Sequence, residues 1–315
     1  MPIHIPRAVA DCFHDSVVAV TGATGFIGTQ LAMRLCELGA QVHGIARSKH
    51  DFIHQAYHAH ALDLRNNAAV KAAIKAIAPD YVFHLASHVT GESGLSHVVP
   101  AFESNLASSV HVMTACAETG FGFSRVILTG SLVEPPAGEI ETVPSSPYAA
   151  AKWASASYAR MFHALYGLPT NIARLFMVYG PAQRDETKLV PYVIRSLLAG
   201  AAPRITSGER LIDWVYVADV VEGFLAIAST PGIEGQSVDL GSGQLISTRD
   251  LVLKIAALIG GAAAPQFGAL SDRPLEPLRT ADVARTLQQT GWQPTVSLDR
   301  GLPEVIAYYR DQMRR

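Results

Sequence analysis

Tyr148 and Lys152 lie four residues apart in the run Y-A-A-A-K, a spacing that puts both side chains on one face of a helix. An ammonium beside a phenol favours the phenolate, so such a pair brings a tyrosine from its usual pKa of ~10 toward the range where it exchanges protons. The same spacing occurs on many solvated helices and means little alone; the neighbours give it weight. Ser131 closes an apolar run, 126–128, that reads as a buried strand. Far upstream, Thr21-Gly22-Ala23-Thr24-Gly25-Phe26-Ile27-Gly28 joins a strand to a helix. A glycine-rich dinucleotide loop, a serine and a Y-x-x-x-K in this order make a site for hydride transfer.

The loop Gly22-x-x-Gly25-x-x-Gly28 follows a short β-branched strand, 17–20, and opens a helical stretch, 26–38, that Gly39 ends. Its glycines permit a tight turn, close approach of a pyrophosphate and close helix packing, with the helix N-terminus facing the phosphates. The end of the second strand, 41–46, discriminates the cofactor. A carboxylate there would bind the adenosine ribose of NAD, but the residues are Gly44-Ile45-Ala46-Arg47-Ser48. Ala46 leaves room, and Arg47 with Ser48 suits a 2′-phosphate. NADP is therefore the expected cofactor and NAD the alternative. Asp63, in Asp63-Leu64, is expected to accept a hydrogen bond from the adenine amino group.

Strand patterns at 17–20, 41–46, 81–85, 126–129 and 170–175 alternate with helical ones at 26–38, 68–78, 101–119 and 147–166. This alternation predicts an α/β fold with a doubly wound parallel sheet, a Rossmann domain over 1–180. Residues 1–15 read as a loose extension or a short strand. After Gly180 the rhythm weakens, and helical patterns return at 219–228, 248–259, 282–289 and 302–310. Residues 181–315 are expected to form a smaller C-terminal α/β substrate-binding lobe, with some segments returning to the sheet.

Of 315 residues, 49% are hydrophobic and 17% charged, and the net charge is −2. These values favour a packed globule and give no electrostatic footprint for nucleic acid. Cys12, Cys36 and Cys116 are too few and too scattered for a disulfide framework or a zinc site. No apolar run of about 18 residues is present and no signal peptide is recognisable, so a cytoplasmic protein without a membrane span is expected. His50, His54, His58 and His60 crowd one stretch. His54 and His58 have metal spacing if helical, but no acid or cysteine supports them, and a solvated helix face is preferred; no metal is expected. His88 and His97 read as surface polar groups, Trp214, Tyr216 and Trp292 as core. Glu134 is either within reach of a sugar or a plain loop acid.

The chain resembles the extended short-chain dehydrogenase/reductase family, in particular its nucleotide-sugar epimerases, dehydratases and ketoreductases. The matching pieces are T-G-A-T-G-F-I-G (21–28), D-L (63–64), H-L-A-S (84–87), Asn105, T-G-S (129–131), S-P-Y-A-A-A-K (146–152), A-R-L-F-M-V-Y-G-P (173–181), R-L-I-D-W-V-Y-V-A-D (210–219) and R-P-L-E-P-L-R-T-A-D (273–282). The resemblance implies that Tyr148 is the catalytic acid/base, that Lys152 lowers its pKa and holds the nicotinamide ribose, and that Ser131 binds the reacting oxygen. It implies a cofactor site of Gly22, Thr24, Gly25, Phe26, Ile27, Gly28, Arg47, Ser48, Asp63, Leu64, Leu85, Ala86, Ser87, Asn105, Tyr148 and Lys152, with Asn105 as a brace. It further implies a nucleotide-diphosphate sugar substrate near Ser131, Met177, Val190, Arg210 and Arg273, the two arginines gripping the diphosphate. A homodimer through the helices at 101–119 and 148–166 is also implied.

Three departures from the family pattern matter. Dehydratases carry an acid directly after the Ser/Thr or one place beyond, where this chain has Leu132 and Val133, and Glu134 comes one residue too late. Met177 stands where many relatives have an Asn that contacts substrate phosphate. The segment between Ser131 and Tyr148 is shorter than usual, so a loop that often covers the sugar is trimmed. The expected function is NADPH-dependent reduction of a nucleotide-linked keto-sugar. Epimerisation with tightly bound NAD is the alternative and 4,6-dehydration the third; a non-catalytic dinucleotide-binding scaffold is the reading from a different class.

Overall fold

The computed structural model describes residues 7–48, 54–120, 122–135, 142–272 and 278–314. Seven strands form one parallel sheet in the order β3-β2-β1-β4-β5-β6-β9. They are β1 (Val17–Thr21), β2 (Gln41–Ala46), β3 (Tyr57–Ala61), β4 (Tyr81–His84), β5 (Arg125–Ser131), β6 (Thr170–Leu175) and β9 (Ser237–Leu240). Central strands are buried along nearly their whole length, as in the V-V-A-V-T of β1 and the Y-V-F-H of β4, because helices cover both faces. On one face α2 (Phe26–Glu37) packs beside α8 (Val217–Ser229) over a core that includes Val18, Val20, Leu31, Leu35, Phe83 and Phe224. On the other, α3 (Asn67–Ile77), α5 (Ser108–Thr119) and α6 (Pro147–Tyr166) cover Val82, Val126, Leu128 and Ile172.

The strand order positions the site. From β1 the chain builds outward through β2 and β3, then returns to β4 on the opposite flank and proceeds through β5 and β6. Such a reversal opens a crevice at the carboxyl ends of the strands, where ligands bind in doubly wound sheets. Ser131 ends β5 at that edge, and the glycine loop leaves β1 there.

The remaining elements are α1 (Arg7–Asp11), α4 (Val98–Ala101), β7 (Met177–Tyr179), α7 (Leu189–Leu198), β8 (Leu211–Tyr216), β10 (Leu245–Ser247), α9 (Thr248–Ile259), α10 (Val283–Thr290) and α11 (Leu298–Arg314). A second sheet runs β10-β8-β7, with α7, α9 and α11 around its aromatic core of Tyr179, Trp214, Tyr216 and Tyr309.

Three local expectations need correction. Over 7–15 the chain forms a short helix followed by a turn, not a loose extension or a strand, and Phe13 is fully buried with its ring 5.0 Å from that of Tyr81. Residues 57–61 are a strand, so His58 and His60 share a sheet face rather than a helix face. His43 joins them there, its Nδ1 2.9 Å from His60 Nε2. Among the described residues no group of side chains has the arrangement of a metal site, and His50 lies outside those residues. The helix expected over 101–119 is interrupted by a π-helical segment at Phe102–Ala107, which no periodicity argument foresees.

Asp213 ties the second sheet to the main one. This carboxylate, buried in β8, accepts hydrogen bonds from Ser242 N and Oγ (both 2.6 Å), Gly243 N (3.0 Å) and Ala281 N (3.0 Å). It thereby joins β8, the turn after β9 and the segment before α10. Asp213→Ala would strand the buried Ala281 amide and the part-buried amides of Ser242 and Gly243, so chemical denaturation should report a loss of roughly 2 kcal/mol or more. A loss under about 1 kcal/mol would mean that water replaces the carboxylate without penalty.

Candidate active site

The helix carrying the Y-x-x-x-K begins where its sequence dictates. Ser146 caps it by accepting from Ala149 N at 3.2 Å, Pro147 occupies the first turn, and Gly167 closes it in the left-handed region. Tyr148 thus stands at the mouth of the crevice, and its hydroxyl is hydrogen-bonded to the side chains of Ser131 and Ser87. Lys152, one turn deeper, is 4% exposed. Its Nζ donates to the Thr129 carbonyl at 2.8 Å and lies 5.8 Å from the centre of the Tyr148 ring. The structure brings Ser131, Tyr148 and Lys152 together.

The electrostatics differ from the expectation that Lys152 lowers the tyrosine pKa. Burial dominates: it pushes the Tyr148 phenol up to about 12, against the hydrogen bond from Ser131, and pushes the Lys152 ammonium down to about 8. Removal from water penalises both charged forms. The lysine spends its short contact on a backbone carbonyl rather than on the phenol. At neutral pH, Tyr148 therefore holds its proton while Lys152 remains mostly cationic.

Asn105 sits in the π-helical segment and is 1% exposed. Its Oδ1 accepts from Ser87 Oγ at 3.0 Å and His88 N at 2.7 Å, and its Nδ2 donates to the His88 carbonyl at 3.1 Å. Its own carbonyl accepts from Ser155 Oγ of α6 at 3.2 Å and Ser109 Oγ at 2.6 Å. π-Helical insertions often mark functional positions. This one turns Asn105 onto the loop after β4 and so fixes Ser87 against Tyr148. His84 completes the frame: it is buried between Thr21 Oγ1 (2.8 Å) and Ser109 Oγ (3.0 Å), and burial pushes its pKa down to about 3. The contact of Ser87 with Tyr148 was not legible in the sequence; only the H-L-A-S run next to the site pointed toward it.

The glycine loop fits a dinucleotide. Gly22 has φ +69° and approaches the next loop so closely that a Cβ would lie 2.7 Å from Ala86 N. A Cβ on Gly28 would fall 2.2 Å from the Gly22 carbonyl. Gly25 caps α2 without a side-chain acceptor, and no acid stands in the first turn, so the leading amides and the positive helix end are left to an external anion such as a pyrophosphate. Thr24, Phe26 and Ile27 are half-buried around this turn. Leu85 N and Ala86 N donate to Thr21 O and Thr21 Oγ1. Arg47 and Ser48 follow β2 directly and are exposed. Asp63 is gripped by Arg65, whose Nη2 lies 2.6 Å from Oδ2. Hydrogen bonds from Arg65 first, and the Arg47 charge last, hold its carboxyl down at about 2. Leu64 is buried, with its carbonyl 2.9 Å from His111 Nδ1.

Of the other expected substrate residues, Met177, Val190 and Arg210 lie in or beside the second sheet and its helices. Met177 pairs with Trp214 between β7 and β8, and Val190 is 1% exposed in the lobe core. Arg210 is half-buried, its carbonyl accepting from Thr248 N at 2.9 Å. Arg273 lies outside the described residues. Glu134 is a buried group behind Ser131 rather than a loop acid in solvent. His88 is held through its backbone by Asn105, and His97 Nε2 lies 2.8 Å from Glu92 Oε2.

Residues 18–241 match the NAD dependent epimerase/dehydratase family. The chain is 30% identical to the UDP-glucose 4-epimerase of Mycolicibacterium smegmatis, over 93% of its own length and 98% of that protein. It is 26% identical to a probable dTDP-glucose 4,6-dehydratase of Sinorhizobium fredii, covering 93% and 92% of the two chains. The crystal structure of the Thermus thermophilus UDP-glucose 4-epimerase in complex with NAD superposes with a TM-score of 0.80 at 27% identity, over 93% and 98%. No helix among the described residues is long and apolar enough to cross a membrane. With its parallel sheet, glycine loop and Ser-Tyr-Lys cluster, the chain is an enzyme that belongs to the NAD-dependent epimerase/dehydratase family, within the extended short-chain dehydrogenases/reductases.

Proposed function

We propose that this enzyme reduces a keto group on a nucleotide-activated sugar, with NADPH as its cofactor. The observation that carries the reading is the Tyr148 hydroxyl hydrogen-bonded to Ser131 and Ser87, with Lys152 Nζ 5.8 Å from the centre of its ring. When bound, the reduced nicotinamide supplies the hydride. Tyr148 gives its proton to the ketone oxygen, and Ser131 Oγ donates to the same oxygen as negative charge builds on it. Lys152 keeps a positive charge behind the phenol and favours the phenolate that remains. Arg210, with Arg273, holds the diphosphate, and Met177 borders the sugar.

NADPH is favoured by Ala46, which presents no carboxylate to the adenosine ribose, and by the cations Arg47 and Arg65 flanking Asp63. Epimerisation with retained NAD is the second reading, and the family membership and the names of the relatives favour it. Dehydration is disfavoured: Leu132 and Val133 follow Ser131, and the Glu134 carboxylate is turned toward Arg174. A non-catalytic scaffold would not need the three side chains kept in register. The exposed Phe102, Tyr158, Leu165 and Tyr166, just before α5 and along α6, support a homodimer through these helices.

Tyr148→Phe removes only the proton donor and should lower turnover of a nucleotide-linked 4-keto-6-deoxy sugar at least ~10²-fold while leaving cofactor affinity intact. Near-normal turnover would reject the assignment. The reduction rate should also fall as pH rises through about 8, where Lys152 loses its proton. In Lys152→Arg that limb should disappear from whatever activity remains, because a guanidinium stays charged; an unchanged limb would assign it to another group. For the cofactor, fluorescence titration should find NADPH bound more tightly than NADH, and Arg47→Ala should narrow the gap by up to about 30-fold, the worth of ~2 kcal/mol. Equal or tighter NADH binding would favour the epimerase.

A further inference from the structure

Glu134 is a carboxylate where no solvent reaches: it is 3% exposed, three residues past Ser131. Its Oε1 accepts from Ser131 N at 2.7 Å, while its own N–H donates to the Ser131 carbonyl at 3.0 Å. The turn after β5 is thus closed twice on the serine, once through backbone and once through the carboxylate. Gly130 makes the arrangement possible, since a Cβ there would lie 2.5 Å from Glu134 Oε1. Oε2 lies 3.5 Å from Arg174 Nε in β6, and Arg174 Nη1 continues to Asp239 Oδ1 in β9 at 2.7 Å. The other Asp239 oxygen accepts from Asp282 N at 3.2 Å. Arg279, from the same segment, donates to the carbonyls of Leu132 (3.2 Å) and Glu134.

Burying a carboxylate costs several kcal/mol unless it is paired and hydrogen-bonded, and a leucine would fill the space without the cost. What the acid adds is a fixed backbone at Ser131 and a negative charge near the other two members of the site. We propose that Glu134 is a positioning residue of the active site: its carboxylate, paired with Arg174 and through it with Asp239, fixes Ser131 and adds a negative charge near Tyr148 and Lys152. This rests on the proposed role of those three residues. Burial pushes the Glu134 carboxyl up, and Arg174 of β6, the Ser131 amide, and Lys152 and Arg160 of α6 work against that and favour its charged form. Lys152 faces Glu134 and His84 of β4, and Tyr148 faces Glu134 as well. Arg174 is shared with Asp239. The Glu134 charge works to raise the basicity of both Tyr148 and Lys152, which favours a protonated pair poised to donate.

Two near-isosteric variants separate position from charge. Glu134→Gln keeps an oxygen for the Ser131 amide and loses the charge; Glu134→Leu loses both. Turnover would be followed with UDP-glucose and with a dTDP-linked 4-keto-6-deoxy sugar. Glu134→Leu should lose at least about tenfold in kcat with KM within about threefold, and Glu134→Gln should recover most of that loss. A carbon-13 NMR titration of the Lys152 side chain, assigned by its absence in Lys152→Arg, should give a midpoint at least about half a unit lower in Glu134→Gln than in wild type. Amide exchange at Ser131 should be protected in wild type and Glu134→Gln and fast in Glu134→Leu. Wild-type kcat in Glu134→Leu, unchanged Ser131 protection there, or an unshifted Lys152 midpoint in Glu134→Gln would overturn the proposal. If the wild type turned over neither sugar, the functional reading would fail by itself, and the Lys152 titration and Ser131 exchange would still decide the role of Glu134.

Discussion

Lys152 is shut off from water and Tyr148 is half-buried beside it, and this exclusion governs the rest of the site. It pushes the Tyr148 phenol up to about 12 and the Lys152 ammonium down to about 8. A solvated Y-x-x-x-K would have neither property. The exclusion is made by the packing of α6 on β5 and on the π-helical segment, with alanines at 149, 151, 156 and 159 letting the helix lie close. Every other polar group nearby is arranged to make the burial tolerable. Thr129 offers its carbonyl to the lysine, Ser131 and Ser87 bond the phenol, and Asn105 holds Ser87.

The sheet supplies the place. Because β1 and β4 are neighbours with the chain leaving in opposite directions, the glycine loop and the Ser131 edge open onto one crevice. His84 spans the two, bonded to Thr21 beside the loop and to Ser109 behind Asn105. The cofactor loop and the helix with Tyr148 are therefore parts of one hydrogen-bonded frame. On its far side, Asp239 and Arg279 link the turn after β5 to the segment that enters α10.

Much of this was legible in the sequence. The buried strands were readable because parallel strands covered on both faces are continuous apolar runs, as at Val17–Thr21 and Tyr81–His84. The boundaries of α6 followed from Ser146, Pro147 and Gly167. Y-A-A-A-K, T-G-S and the glycine loop pointed to the residues that the structure brings together around the crevice. What was not legible depends on distant partners. The histidines at 54 and 58 have helical spacing, and only pairing with β2 makes 57–61 a strand. The π-helical turn at Asn105 obeys no local period. The Tyr148 pKa was expected to fall because the lysine neighbour is visible in sequence and the desolvation is not. Glu134 looked like a loop acid, since Arg174 lies in another strand.

The central claim is that a carbon of a nucleotide sugar exchanges hydride at the Ser131–Tyr148–Lys152 site. The most direct measurement uses NADPH deuterated at the transferable nicotinamide position, with a dTDP-linked 4-keto-6-deoxy sugar as acceptor, and reads the product by NMR. A single deuterium on the new carbinol carbon, present with wild type and absent with Tyr148→Phe, is the predicted result. A product that forms without deuterium, or equal labelling in the Tyr148→Phe variant, would contradict the account.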